Sequence, residues 1–137
     1  MPNRADNLIR QKAMDYAVRI FHLNEYLLKQ RKFTLADQVF RSGTSIGANI
    51  SEAIKAESES DFVHKYAIAL KEAEETLYWL ELSFRVGLLE EKLYRSLRDD
   101  CLELIKLGTS ITLTMMRKIK AKKIDLQTNQ ESTTTAN

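Results

Sequence analysis

The sequence predicts an all-α protein, specifically an antiparallel up-down four-helix bundle, and three observations carry that prediction. Apolar residues recur at spacings of three and four through nearly the whole chain, the signature of helices with one buried stripe. Four glycines and one proline in 137 residues leave little turn material, so the elements are few and long. Cap signals at Thr34 and Ser58 and a glycine at Gly87 interrupt the periodic segments, which divides them into four. The expected helices span about 4–31, 34–56, 59–86 and 90–122 in one bundle domain, 1–123, followed by a disordered polar tail, 124–137. Turns this short make successive helices antiparallel neighbours.

In the first helix Ile9, Ala13, Tyr16, Ala17, Ile20, Leu23 and Leu27 keep a three-four rhythm, with Arg10, Asp15, Arg19 and Lys29 mostly off that stripe. Leu8, Val18, Phe21 and Leu28 widen the apolar face beyond what one neighbour covers. His22 has no second histidine on this helix, so it is expected at the edge of the core and not as a metal ligand.

Thr34 with Asp37 three residues on forms a variant capping box and opens the second helix. Leu35, Val39, Phe40, Gly43, Ile46, Ile50, Ala53 and Ile54 continue its apolar stripe. Gly43 and Gly47 lie inside this pattern although each costs about 1 kcal/mol against alanine in a helix. Since Ile46, Ile50 and Ile54 hold the period through them, the expected reason is close approach of a neighbouring backbone. Ser42, Ser45, Asn49 and Glu52 form a polar stripe beside the isoleucines. Together with Gly47 they are candidate packing or interface residues in a half-buried hydrogen-bonded seam.

Ser58-Glu59-Ser60-Asp61 is a second cap signature, and its acids suit the positive end of the helix dipole. Phe62, Tyr66, Ala69, Ala73, Leu77, Leu80 and Phe84 then line one face of the third helix, with Glu72, Glu74, Glu75 and Glu81 on the acidic side. Gly87 is placed to close it in a left-handed cap. The fourth helix carries Leu93, Leu97, Cys101, Leu104, Gly108, Ile111, Met115 and Ile119, with a second row at Leu102, Ile105, Thr112 and Met116. Beyond Lys123 the chain is polar and aperiodic. The apolar faces of the first and third helices are wider than a single bundle buries, which predicts an oligomer.

The run SGTSIGANISEA and the following DFVHKYAIALKEAEETLYWLEL resemble the 23S rRNA intervening-sequence proteins. The positions that carry the likeness are Ser45, Ile46, Gly47, Ala48, Asn49, Ile50, Glu52 and Ala53, then Asp61 and Phe62, then Ala69, Leu70, Glu72, Glu75 and Thr76. Gly47 stands where many relatives have proline, so a softer kink is expected here. The similarity extends over Tyr16 to Ile119. It implies an antiparallel four-helix bundle that assembles into a homopentameric ring. A related bundle is the accessory variability protein of diversity-generating retroelements, which binds a reverse transcriptase and nucleic acid. The resemblance assigns no catalytic residue.

Composition fits an ordinary folded protein, with 44% apolar and 29% charged residues. Net charge is +2, distributed as +4 over residues 1–56, −5 over 57–90 and +3 over 91–137. The one cysteine, Cys101, cannot form an internal disulfide, follows Asp99 and Asp100, and is expected to be a buried, inert thiol in a reducing cytoplasm. The opening MPNRADNLIRQK lacks a secretory apolar core, and no apolar run approaches the roughly 18 residues that cross a bilayer. A cytoplasmic location follows as an expectation.

Catalytic chemistry finds little support. There is no Glu-x-x-His pair of the kind that holds two metals in a helical bundle, only Asp61-Phe62-Val63-His64, whose acid is already a cap residue. Arg19 and His22 are too close for a helical ribonuclease pair, and the glycines do not form a phosphate loop. No catalytic residue, metal or cofactor is expected. The basic run Arg117, Lys118, Lys120, Lys122 and Lys123, with no acid among its members, is the candidate nucleic-acid-binding surface. The expected function is that of a non-enzymatic oligomeric adaptor whose partners are its own copies, RNA or DNA, or a nucleic-acid enzyme such as a reverse transcriptase. The alternative is a purely structural or protein-interaction ring.

Overall fold

Asn3 caps the first helix. Its side chain accepts the Asp6 N–H at 2.9 Å while the Asp6 carboxylate accepts the Asn3 N–H at 3.2 Å, a reciprocal capping box. The computed structural model describes residues 3–135 and contains α1 (Arg4–Lys29), α2 (Phe33–Ile54), α3 (Glu59–Arg85) and α4 (Glu91–Thr135), with no strand among the described residues.

The helix ends follow local chemistry. Ser58 accepts the Asp61 N–H at 3.0 Å and caps α3 as expected. At the far end Gly87 adopts φ 83°, and the Gly87 and Leu88 N–H groups return to the carbonyls of Phe84 and Ser83 at 3.0 and 2.9 Å. That paired closure is a Schellman motif, and it needs the left-handed residue. The turn after α1 has the same bonds, from Arg31 to Leu28 and from Lys32 to Leu27, both 2.9 Å, yet its left-handed residue is Arg31 at φ 59°. Because this turn delivers the chain straight into a helix at Phe33, Thr34 already lies within α2 and does not cap it. The N-cap is Lys32, with no side-chain bond.

Each helix packs on the next, and α1 also meets α4. Ala13 faces Gly47, Ile20 faces Gly43, and the Asn24 side chain donates to the Ala36 carbonyl at 2.9 Å along the α1–α2 seam. The α2–α3 seam joins Ser42 to Thr76 and Glu52 to Lys65. Along α3–α4, Cys101 contacts the Ala73 carbonyl, Leu70 covers Gly108, and Glu59 pairs with Lys122. On the α1–α4 side the Tyr16 hydroxyl donates to the Leu97 carbonyl at 3.0 Å, flanked by the ion pairs Lys12–Glu103 and Arg19–Asp100. Ile9, Ile20, Leu27, Ile46, Ile50, Tyr66, Leu80 and Leu97 fill the centre and are fully buried. Burying one such side chain contributes about 1.5–3 kcal/mol.

The fourth helix departs from expectation. Instead of ending near residue 122 and giving way to a polar tail, it continues to Thr135 and is 45 residues long, or about 67 Å. Residues 109–135 contain neither glycine nor proline, so nothing interrupts the backbone hydrogen bonds. The threonines that suggest a coil instead bond back along the helix: Thr128, Thr133, Thr134 and Thr135 donate to the carbonyls of Ile124, Asn129, Gln130 and Glu131. From Lys120 to Thr135 every side chain is exposed.

Candidate functional site

All five cations of the basic run lie on the part of α4 where the bundle ends, and all are exposed. Successive helical residues are rotated by about 100°, so the run does not form a single patch. Arg117, Lys120 and Lys123 edge an open groove against the start of α3. Lys118 looks to the other side, beside Asn3, Asp6 and Phe62. Lys122 lies on the inward stripe continued past the core and forms an ion pair with Glu59, the first residue of α3. The other four have no ion-pair partner among the described residues.

The small-residue stripe of α2 resolves into separate roles. Ser42 is fully buried and accepts the Thr76 hydroxyl at 3.0 Å, while its own hydroxyl reaches the Val39 carbonyl at 3.4 Å. Ser45 and Asn49 are half-buried but bond within α2, to the carbonyls of Arg41 and Ser45. Glu52 is exposed and pairs with Lys65 at 2.9 Å. The closest approach belongs to Gly43: a Cβ there would stand 2.7 Å from Ile20 Cγ1, whereas one at Gly47 would stand 3.4 Å from the Ala13 Cβ. Gly108 is similar, since a Cβ would meet Leu70 Cδ2 at 2.9 Å.

The sequence reading did not single out Arg41. Its guanidinium bonds Glu72 at 3.0 Å and also holds Glu75, whose carboxylate accepts the Trp79 indole N–H at 3.1 Å. The Arg41 hydrogen bond, helped by Trp79, holds the Glu75 carboxyl below the usual carboxylate range. The motif residues Glu72, Glu75 and Thr76 therefore work as the α3 half of the α2–α3 seam. An arginine on one helix and paired glutamates on the next would have been the signal.

The remaining chemistry is structural. Cys101 is fully buried, its thiol meets the Ala73 carbonyl at 3.3 Å, and burial pushes its pKa up to about 12. Burial likewise raises Tyr16 and Tyr66, the latter also through the neighbouring Asp6 carboxylate at 3.4 Å. His22 is exposed beside Glu25. Among the described residues no group of histidine, cysteine and acidic side chains could hold a metal, and no helix is long and apolar enough to cross a membrane.

The outer surface leaves apolar side chains uncovered. Met14, Val18, Phe21 and Leu28 share one side of α1 turned from the core, and the first three are 55%, 51% and 49% exposed. Phe33 and Phe40 on α2 and Tyr78 and Leu82 on α3 are exposed as well.

Four helices, each packed on the next and closed over a glycine-notched core, define a four-helix-bundle protein. The chain belongs to the 23S rRNA-intervening sequence protein family, whose sequence model matches residues 5–110. Among solved structures it is similar to a protein of unknown function from the S23 ribosomal protein family of Bacteroides thetaiotaomicron VPI-5482, with 47% identity and a TM-score of 0.77. That likeness covers 79% of this chain and 97% of the other. No curated protein matches. The matched region stops short of Arg117, so the basic run lies outside it.

Proposed function

We propose that this protein is a non-enzymatic adaptor, an antiparallel up-down bundle that assembles into a ring-like homo-oligomer, by resemblance a pentamer, and contacts RNA or DNA through its basic helix ends. The observation that carries the reading is the set Arg117, Lys118, Lys120 and Lys123, exposed and without ion-pair partners among the described residues, on a helix that outruns its neighbours. Cations in that state suit phosphates, and an oligomer multiplies their potential. The uncovered apolar side of α1, with Phe33 and Phe40, supports self-association, because patches of this kind mark interfaces. Without aromatic side chains in the run, contact is to phosphates and tolerates sequence.

The test is fluorescence anisotropy on structured RNA and duplex DNA across a salt series. Binding should weaken with a log–log slope of about −0.7 to −0.9 per phosphate contacted. Replacing Arg117, Lys118, Lys120, Lys122 and Lys123 with glutamine should weaken it strongly while light scattering shows an unchanged oligomer. Equal binding by both proteins, or none at low salt, would leave the interaction-only ring as the better account.

A further inference from the structure

The groove between α4 and the start of α3 has an apolar floor, made by Val63, Leu113, Met116 and Ile119. One edge carries Arg117, Lys120 and Lys123, and no acidic residue lines it. These cations recur every third residue, about 4.5 Å apart along the axis, and Leu113 and Met116 are 46% and 50% exposed. We infer that this groove is a docking site for an acidic amphipathic helix of a protein partner, laid along α4 with apolar residues on the floor and carboxylates against the cation row. The inference rests on the proposal that the end of α4 is a contact surface: phosphates and the partner's carboxylates share Arg117, Lys120 and Lys123 and compete for them, while the apolar floor serves the helical partner alone.

Charge complementarity and the floor decide the occupant. Phosphates would satisfy the three cations and leave the aliphatic and thioether side chains in water, with no π face for bases to stack on. A helix with apolar residues at i, i+3, i+4 and i+7 covers the floor and aligns acids with the row. Room exists because α3 reaches this groove only with its first turns, through Ser60 and Val63, which leaves Leu113 and Met116 open to solvent.

The experiment uses the full chain and a fluorescein-labelled helical peptide of about five turns, with leucine on one face and glutamate elsewhere. A second peptide keeps every glutamate and replaces leucine with serine. The leucine peptide should bind wild type, and the serine peptide at least about tenfold more weakly, as loss of several buried apolar contacts requires. Leu113→Ser with Met116→Ser, both at exposed positions, should weaken the leucine peptide by about tenfold and leave RNA affinity within about twofold. No binding of the leucine peptide, equal binding of the two peptides, or an unaffected double variant overturns the inference. RNA binding is measured in parallel, so loss of the peptide site and failure of the nucleic-acid reading give separate results.

Discussion

The body of the bundle and the outer part of α4 are both helical, but for different reasons. In the body Ile20, Tyr66 and Leu80 are fully buried, and the Ile20 side chain fills the notch at Gly43 so closely that a methyl group there has no space. Beyond Lys120 every side chain is exposed, and apart from the Lys122–Glu59 ion pair helicity rests on the unbroken backbone ladder. Tertiary packing supplies most helical stability in proteins, so the body is held cooperatively and the extension only locally. The two regions also divide along the family boundary, with the body inside the matched residues and the extension outside.

The sharpest way to break that contrast is to delete equal side chains from each region. Leu80→Ala should cost about 2–5 kcal/mol through the cavity it leaves, whereas Leu126→Ala, 61% exposed, should change stability by less than about 0.5 kcal/mol. Urea denaturation midpoints compare them directly, and similar costs would show that the extension packs against something. Next in size is Gly43→Leu, which overfills the contact with Ile20 and should destabilise by about 1–3 kcal/mol. Combining it with Ile20→Ala restores the volume, so a double-mutant cycle should show favourable coupling. Additive costs would mean that the glycine is there for another reason.

A third effect concerns pH. Cys101 is held at about 12 against an ordinary 9.0, and Tyr16 and Tyr66 lie above their ordinary 10.0, in each case through burial. The folded state keeps these protons after the unfolded chain begins to lose them. Stability is therefore unaffected by these groups below pH 9.0 and falls as pH rises toward the folded values. Guanidinium unfolding between about pH 8 and about pH 10.5 should show the decline, with part of it removed by Cys101→Ala. A flat profile would show that the three groups are wet. The smallest effect is at Arg31, where glycine relieves the left-handed backbone and Arg31→Gly should gain up to about 1 kcal/mol. A lower melting temperature would instead assign the arginine side chain a stabilising contact.

Much of the body was legible because it depends on periodicity and short-range caps. The stripes on all four helices, the Ser58 cap and the Gly87 closure can be read from residues a few positions apart. Thr34 misled because a capping pattern is valid only if the residue is outside the helix, and Arg31 turns the chain too early for that. Which glycine is the tight one was not legible either. Gly43 and Gly47 look alike in sequence, and the difference lies in the partner, isoleucine or alanine on α1. The basic run looked like one site because sequence adjacency hides the helical rotation that separates Lys118 from Arg117. The polar composition after Lys123 suggests a disordered tail, but what it lacks is a buried partner and not the capacity to form a helix.

The order of the helices around the bundle has a kinetic consequence. Three of the four seams join consecutive helices through short connections, such as Gln30 to Lys32 between α1 and α2, and can form almost as soon as their helices meet. Only the α1–α4 seam closes the ends of the chain, and it brings Tyr16 to Leu97 across 81 positions. Such loops are slow to close, so this edge belongs to the late side of the folding barrier, when most of the apolar surface is already hidden. Because it is also flanked by two surface ion pairs, salt acts on it directly. It is the edge along which the bundle would first come apart under load.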